Sequence, residues 1–136
     1  MRSSYLEQNS GKFFQEKPTV VSKAISLAAT NTTTEAVSVP LGAYVTAVKL
    51  LCTVRAGSVD VDVGDGDNAD RYADGISAMT AYDILNLPNV ASGTAATNEV
   101  GGRYYAAADT IDVVTNTTGS LNDGVGSCKV LVWYYL

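Results

Sequence analysis

Residues 39–75 read VPLGAYVTAVKLLCTVRAGSVDVDVGDGDNADRYADG. Val39-Pro40 and Gly42 open the stretch, and residues 43–54 then run apolar and β-branched. Ala56-Gly57-Ser58 interrupts, and Val59-Asp60-Val61-Asp62-Val63 follows in strict apolar–acidic alternation. A period of two belongs to a strand with one buried face and one wet face. Two strands joined by a short glycine turn, then a Gly/Asp loop over 64–75, describe an all-β surface protein and not an enzyme core.

The pattern extends in both directions. Upstream, Val21, Lys23, Ile25 and Leu27 alternate with small residues and predict a first strand over 21–28. Residues 30–34 (TNTTT) read as a polar turn. Residues 35–39 form a short strand stopped by Pro40, which has no N–H for a ladder. Downstream, 76–87 (ISAMTAYDILNL) begins as strand and then lies open between strand and short helix, because Met79, Tyr82 and Leu85 fall at helical spacing. A small-residue loop covers 88–102, and strands are predicted over 103–107, 110–115 and 127–136. The last, SCKVLVWYYL, is apolar enough that it must lie central in a sheet or in a subunit interface. About eight strands separated by Gly, Asn and Thr turns predict a sandwich or jelly-roll-like barrel, with no βαβ unit and no internal repeat.

Residues 1–17, MRSSYLEQNSGKFFQEK, have no periodicity and end at Pro18. They read as an extended arm ahead of a single domain over 18–136. Disordered tails are poor in aromatic residues, so Tyr5, Phe13 and Phe14 point to something in which to bury three rings, this fold or a neighbouring chain.

Composition narrows the chemistry. The net charge is −5, split as about +1 on residues 1–17 and about −6 on the remainder, the opposite of what phosphate neutralisation requires, so nucleic acid is not an expected partner. There is no histidine, which removes the commonest general base, histidine-activated nucleophiles and the usual catalytic zinc sites. MRSSYLEQNS lacks the apolar segment of a secretory leader, and no run is long enough to span a membrane; synthesis and folding in a cytoplasm are expected. Cys52 and Cys128 lie in apolar runs and read as two reduced core thiols, with a disulfide across neighbouring strands as the alternative.

Three constellations invite a site. Asp60, Asp62, Asp65, Asp67, Asn68, Asp70 and Asp74 suggest calcium, but with Asp60 in first position the sixth residue is Asp65 where an EF-hand needs glycine. The solvated face and tight turn is the preferred reading and no metal is expected; Asp65, Asp67 and Asp70 are the residues a hard cation would use. Asp109 and Asp112 beside Tyr104 and Tyr105 have the composition of a glycosidase pair, but nothing in the sequence positions them. Eight tyrosines suit contact surfaces, and Arg71-Tyr72 and Arg103-Tyr104-Tyr105, a guanidinium beside rings, are the interface candidates. No catalytic residue and no cofactor is expected.

The pieces VSVPLGAYVTAV (37–48), VDVGDGDNADRYADG (61–75) and RYYAAADTIDVV (103–114) resemble a group of small structural proteins of tailed-bacteriophage virions, over about half the chain. That resemblance implies a virion component of the capsid decoration or cement type. It implies an all-β domain, made in the host cytoplasm, that binds the major capsid protein lattice, often as a homotrimer, without catalysis. The aromatic arm has no counterpart in the pattern. An extended segment can add a strand to an exposed sheet edge on a capsid subunit, with Tyr5, Phe13 and Phe14 filling pockets. Two alternatives stand beside it: a tail or neck component, and a carbohydrate-binding module using Tyr72, Tyr82, Tyr104 and Tyr105 with Asp65, Asp67 and Asp70.

Overall fold

The computed structural model describes residues 18–27, 31–54, 59–76, 84–87, 102–117 and 126–136. The arm residues Tyr5, Phe13 and Phe14 and the ring of Tyr82 lie outside them. Ten strands are described: β1 (Val20–Val21), β2 (Ile25–Ser26), β3 (Thr32–Val39), β4 (Tyr44–Val54), β5 (Val59–Asp65), β6 (Ala73–Ile76), β7 (Ile84–Leu87), β8 (Arg103–Tyr104), β9 (Asp109–Thr117) and β10 (Ser127–Tyr135). They form two antiparallel sheets. One runs β1-β10-β4-β7, with β2 beside β10 and β8 beside β4; the other runs β3-β9-β5-β6. Neither closes, so the fold is a sandwich and not a barrel.

Alternation builds the core. Val48, Leu50 and Cys52 of β4 and Cys128, Val130 and Val132 of β10 are buried from the first sheet. Val37 and Val39, Val61 and Val63, and Ile111 and Val113 meet them from the second. Each such side chain contributes roughly 1.5–3 kcal/mol relative to exposure. β10 is central, flanked by β4 on one side and by β1 and β2 on the other, as its apolar sequence requires.

One irregularity positions the surface of interest. Trp133 pairs with Ala47 but Tyr134 with Val45, leaving Thr46 as an extra residue in β4. Such a bulge shifts the side-chain phase by one. Below it the even positions 48, 50 and 52 face the core; above it Val45 does, and Tyr44 turns outward.

Several boundaries differ from the expected ones. The strand over 21–28 is two short strands, because Ser22 intervenes: its N–H donates to the Val130 carbonyl (2.9 Å) while its Oγ accepts the Val130 N–H (2.8 Å), in place of a main-chain carbonyl. The turn over 30–34 belongs largely to β3; Thr115 Oγ1 accepts the Thr32 N–H (3.4 Å) and donates to the Thr32 carbonyl (3.3 Å), fixing the strand end. β6 begins inside the expected 64–75 loop and continues to Ile76, held by the Gly75 N–H donating to Asp62 Oδ1 (2.7 Å), with Gly75 at φ +63°, where a side chain would be strained. Residues 84–87 are strand, and 103–107 contribute only Arg103 and Tyr104.

Asp112 of β9 is buried, its Oδ1 has no hydrogen-bond partner, and its cross-strand neighbour is Glu35. Burial, then repulsion from Glu35, Asp109 and Asp65, raises its carboxyl above the ordinary 3.8. A raised folded-state value contributes stability below pH 3.8 that is lost as pH rises through the shifted value, so at neutral pH Asp112 destabilises the fold. Asp112→Asn is expected to add about 1 kcal/mol near pH 7, about 3–5 °C in Tm, and to add nothing once both states are protonated. Thermal melts of both proteins across acid to neutral pH check this; a gain that persists in acid contradicts it.

Candidate functional site

Continued past Val63, the β5 alternation brings Asp65 onto the core face at the end of the strand, where its side chain has no exposure. Its Oδ1 accepts the backbone N–H groups of Asp67 (3.1 Å) and Asn68 (3.0 Å), tightening the turn that follows. Oδ2 accepts Arg71 Nε (2.5 Å) and the Tyr105 hydroxyl (2.9 Å), and Arg103 Nε stands 3.4 Å away. Tyr105 and Tyr72 share a 2.6 Å hydroxyl contact. With the Tyr105 proton directed at Asp65, the Tyr72 hydroxyl is the donor to Tyr105. The Arg103 guanidinium lies 5.3 Å from the Tyr105 ring centre.

Burial raises the Tyr72 hydroxyl to about 12 and, with the adjacent Asp65 carboxylate, raises Tyr105 well above its usual range. Both therefore remain donors at any physiological pH. The cluster ties three chain segments together: the β5–β6 turn, the segment after β8 through Tyr105, and the β3–β4 turn, since the Gly42 N–H donates to the Tyr105 carbonyl and the Tyr105 N–H to the Ala43 carbonyl (both 2.8 Å). Gly64 lets the turn fold back over β5, because a Cβ there would collide with the backbone of Asn68 and Ala69. The second turn anchor is Asp109, whose Oδ1 accepts the Gly66 (3.1 Å) and Thr110 (2.8 Å) N–H groups.

The structure thus gathers Arg71, Tyr72, Arg103 and Tyr105, but inward. Tyr72 and Tyr105 are core residues, both arginines are directed at Asp65, and of the five interface candidates Tyr104 is the exposed one. Asp65 is occupied by protein donors, Asp67 is exposed, and the Asp70 N–H donates to Asn68 Oδ1 (3.2 Å). Among the described residues no three acidic or cysteine side chains converge in a metal-holding arrangement. Asp109 and Asp112, three residues apart on β9, occupy opposite phases of the strand, Asp109 on the turn and Asp112 beside Glu35.

What the frame presents outward is a row. Tyr135 of β10 pairs with Tyr44 of β4, and Tyr44 pairs with Tyr104 of β8. Directly opposed residues share a face, so three tyrosines stand side by side on the outer surface of the first sheet, 72%, 45% and 60% exposed. Leu41, at the tip of the β3–β4 turn, and Leu136, after β10, are exposed at the same end. The Tyr44 ring lies across Gly102, where a Cβ would strike it. Neighbouring strands are about 4.8 Å apart, so the rings form a continuous strip. Sequence reasoning found Tyr104 and missed Tyr44 and Tyr135, because the Thr46 bulge decides that Tyr44 faces out.

No protein-family model matches the chain, and no curated protein matches it. Two solved structures do. A chain of the acid-stable capsid of Helicobacter pylori bacteriophage KHP30 is 16% identical, covers 90% of this chain and 92% of its own length, and superposes with a TM-score of 0.55. A chain of the capsid asymmetric unit of cyanophage Pam1 is 21% identical, covers 86% and 84%, and has a TM-score of 0.58. The sandwich is a fold found in phage capsids, and the resemblance to phage virion proteins extends to three dimensions.

Proposed function

We propose that this chain is a non-enzymatic structural component of a bacteriophage virion, a decoration or cement protein that binds the major capsid protein lattice as a homo-oligomer, most simply a trimer. The observation that carries the reading is the likeness, over nearly the whole domain, to chains of two phage capsids. The tyrosine row supports it: contiguous exposed aromatic surface is characteristic of an interaction site. The buried Asp65 cluster supports it too, since its carboxylate is closed to a substrate and serves to hold the turns beside that row. The carbohydrate-binding alternative loses support, because Tyr72 and Tyr105 are buried and so are not available as a sugar platform.

In this reading the arm is the second contact, with Tyr5, Phe13 and Phe14 as anchors in the lattice. Ordering its 17 residues costs roughly 1 kcal/mol each, so backbone pairing with a sheet edge and avidity from several arms must supplement the rings. Co-sedimentation with phage shells lacking this chain tests both contacts. The full chain is expected to saturate the shells, and a chain lacking residues 1–17 to bind roughly 100-fold more weakly. Equal binding of the two removes the arm from the mechanism; no binding by the full chain removes the decoration role.

A further inference from the structure

Cys52 of β4 and Cys128 of β10 are paired residues in adjacent antiparallel strands, both fully buried and both thiols. Opposed antiparallel residues have Cα atoms about 4.5 or 5.5 Å apart according to the ladder site, and a disulfide accepts about 4.4–6.8 Å. Either kind of site therefore falls within range, and both side chains point to the same face. The pair also borders a second bulge. Ser127 pairs with Val54 while Cys128 pairs with Cys52, leaving Thr53 extra, and Thr53 Oγ1 and Ser127 Oγ pin it at 2.6 Å. Bulges disrupt the regular ladder locally, which leaves the two strands room to adjust around the pair.

Burial, with Cys52 alongside, raises the Cys128 thiol to about 12. Thiol–disulfide exchange proceeds through the thiolate, so the closed fold protects the pair in the reduced form. The protection has a weak side. The other neighbour of Cys128 is Ile25 in β2, a strand of two residues. Beyond it runs a groove of about 650 Å³ between residues 21–26 and the first half of β3. Brief loss of two residues from a sheet margin is among the least costly local openings.

We propose that Cys52 and Cys128 are a latent cross-strand disulfide, gated by Ile25, that locks β10 to β4 when the protein meets an oxidising small-molecule disulfide. One thiolate attacks glutathione disulfide, forming a protein–glutathione mixed disulfide and releasing one glutathione. The second cysteine displaces the other glutathione and closes the bond. Two protein thiols and one glutathione disulfide thus become one protein disulfide and two glutathione molecules, which carry the two electrons and both protons. The bond joins residues 76 positions apart in the chain.

The test is incubation of the full chain with glutathione disulfide at about pH 8, followed by acid quench, denaturation, iodoacetamide and intact mass. The expected product is a monomer lighter by about 2 Da with no alkylation, a peptide joining positions 52 and 128, and a Tm higher by about 10 °C. Ile25→Ala is expected to react roughly tenfold faster, and sub-denaturing urea is expected to accelerate wild type in the same way. Two alkylatable thiols in both proteins after long exposure, a persistent glutathione adduct, or an intermolecular dimer would each overturn the proposal.

Discussion

Asp65→Ala is expected to lower stability by about 3–5 kcal/mol, the largest loss from any single polar substitution among the described residues. The carboxylate is fully buried and accepts from two backbone amides, Arg71 and Tyr105, with Arg103 at 3.4 Å. Alanine removes none of those donors. It deprives two guanidiniums, one nearly buried and one partly buried, of the carboxylate at which both are directed, and leaves an interior hydroxyl without an acceptor. The interior donors left behind, more than any lost attraction, set the size of the effect. A domain of this length has roughly 5–15 kcal/mol in total, so Tm should fall by about 10–20 °C. Asp67→Ala, two residues away and exposed, is the control and should stay within about 0.5 kcal/mol. Tyr105→Phe should cost about 1–2 kcal/mol, and the double variant with Asp65→Ala should cost less than the sum because the two share one hydrogen bond. Urea denaturation of the four variants and wild type decides it; a loss below about 1 kcal/mol for Asp65→Ala means the cluster is ornamental to the fold.

The same residue marks how far the sequence could be read. The strands over 44–54 and 127–135, and β5 as far as Val63, were legible because valine-rich alternation with one wet face has only one economical arrangement. Asp65 obeys that alternation, falling on the valine phase after Val61 and Val63, yet Gly64 and Gly66 around it mimic a loop. The glycine at 64 signals instead a turn packed against the strand, which becomes visible only once Asn68 and Ala69 are in place. The sequence marks Arg71-Tyr72 and Arg103-Tyr104-Tyr105 as interface candidates, but composition cannot distinguish a guanidinium that stacks on a partner from one directed at an internal carboxylate. The missing carboxylate partner was forty residues from Tyr105 in sequence and adjacent in space. The tyrosine row was illegible for another reason. Its register depends on one extra residue, Thr46, and a threonine in a threonine-rich strand protein carries no sign that it is the bulge. The Ser22 interruption is equally silent, since serine fits the alternation and its side chain only afterwards takes a backbone position in the ladder.

In the proposed decoration role, serine at Tyr44, Tyr104 and Tyr135 together is expected to largely abolish assembly on the capsid while leaving the domain folded. The three side chains are 45–72% exposed, so the free protein gains little from them. A tyrosine offers about 150–250 Å², and at these exposures the row has roughly 350 Å² left to bury, a little under half of one partner's share of a standard interface. In the proposed decoration role, exposed Leu41 and Leu136, together with the arm, are the candidates for the rest of the contact area. Tyrosine loses little conformational freedom on docking and has a hydroxyl for the rim, which is why truncating a central one commonly costs about 1–2 kcal/mol of binding. Single substitutions should therefore weaken binding roughly 5–30-fold, and the triple roughly 100–1,000-fold. Tm should move by no more than about 3 °C, because the rings lie outside the core and the Asp65 cluster is untouched. This separates the two large effects: Asp65→Ala damages the frame and binding together, whereas the tyrosine triple damages binding alone. Sedimentation with shells and a thermal melt on the same samples distinguish them. A triple variant that decorates shells like wild type would move the contact to another face of the sandwich.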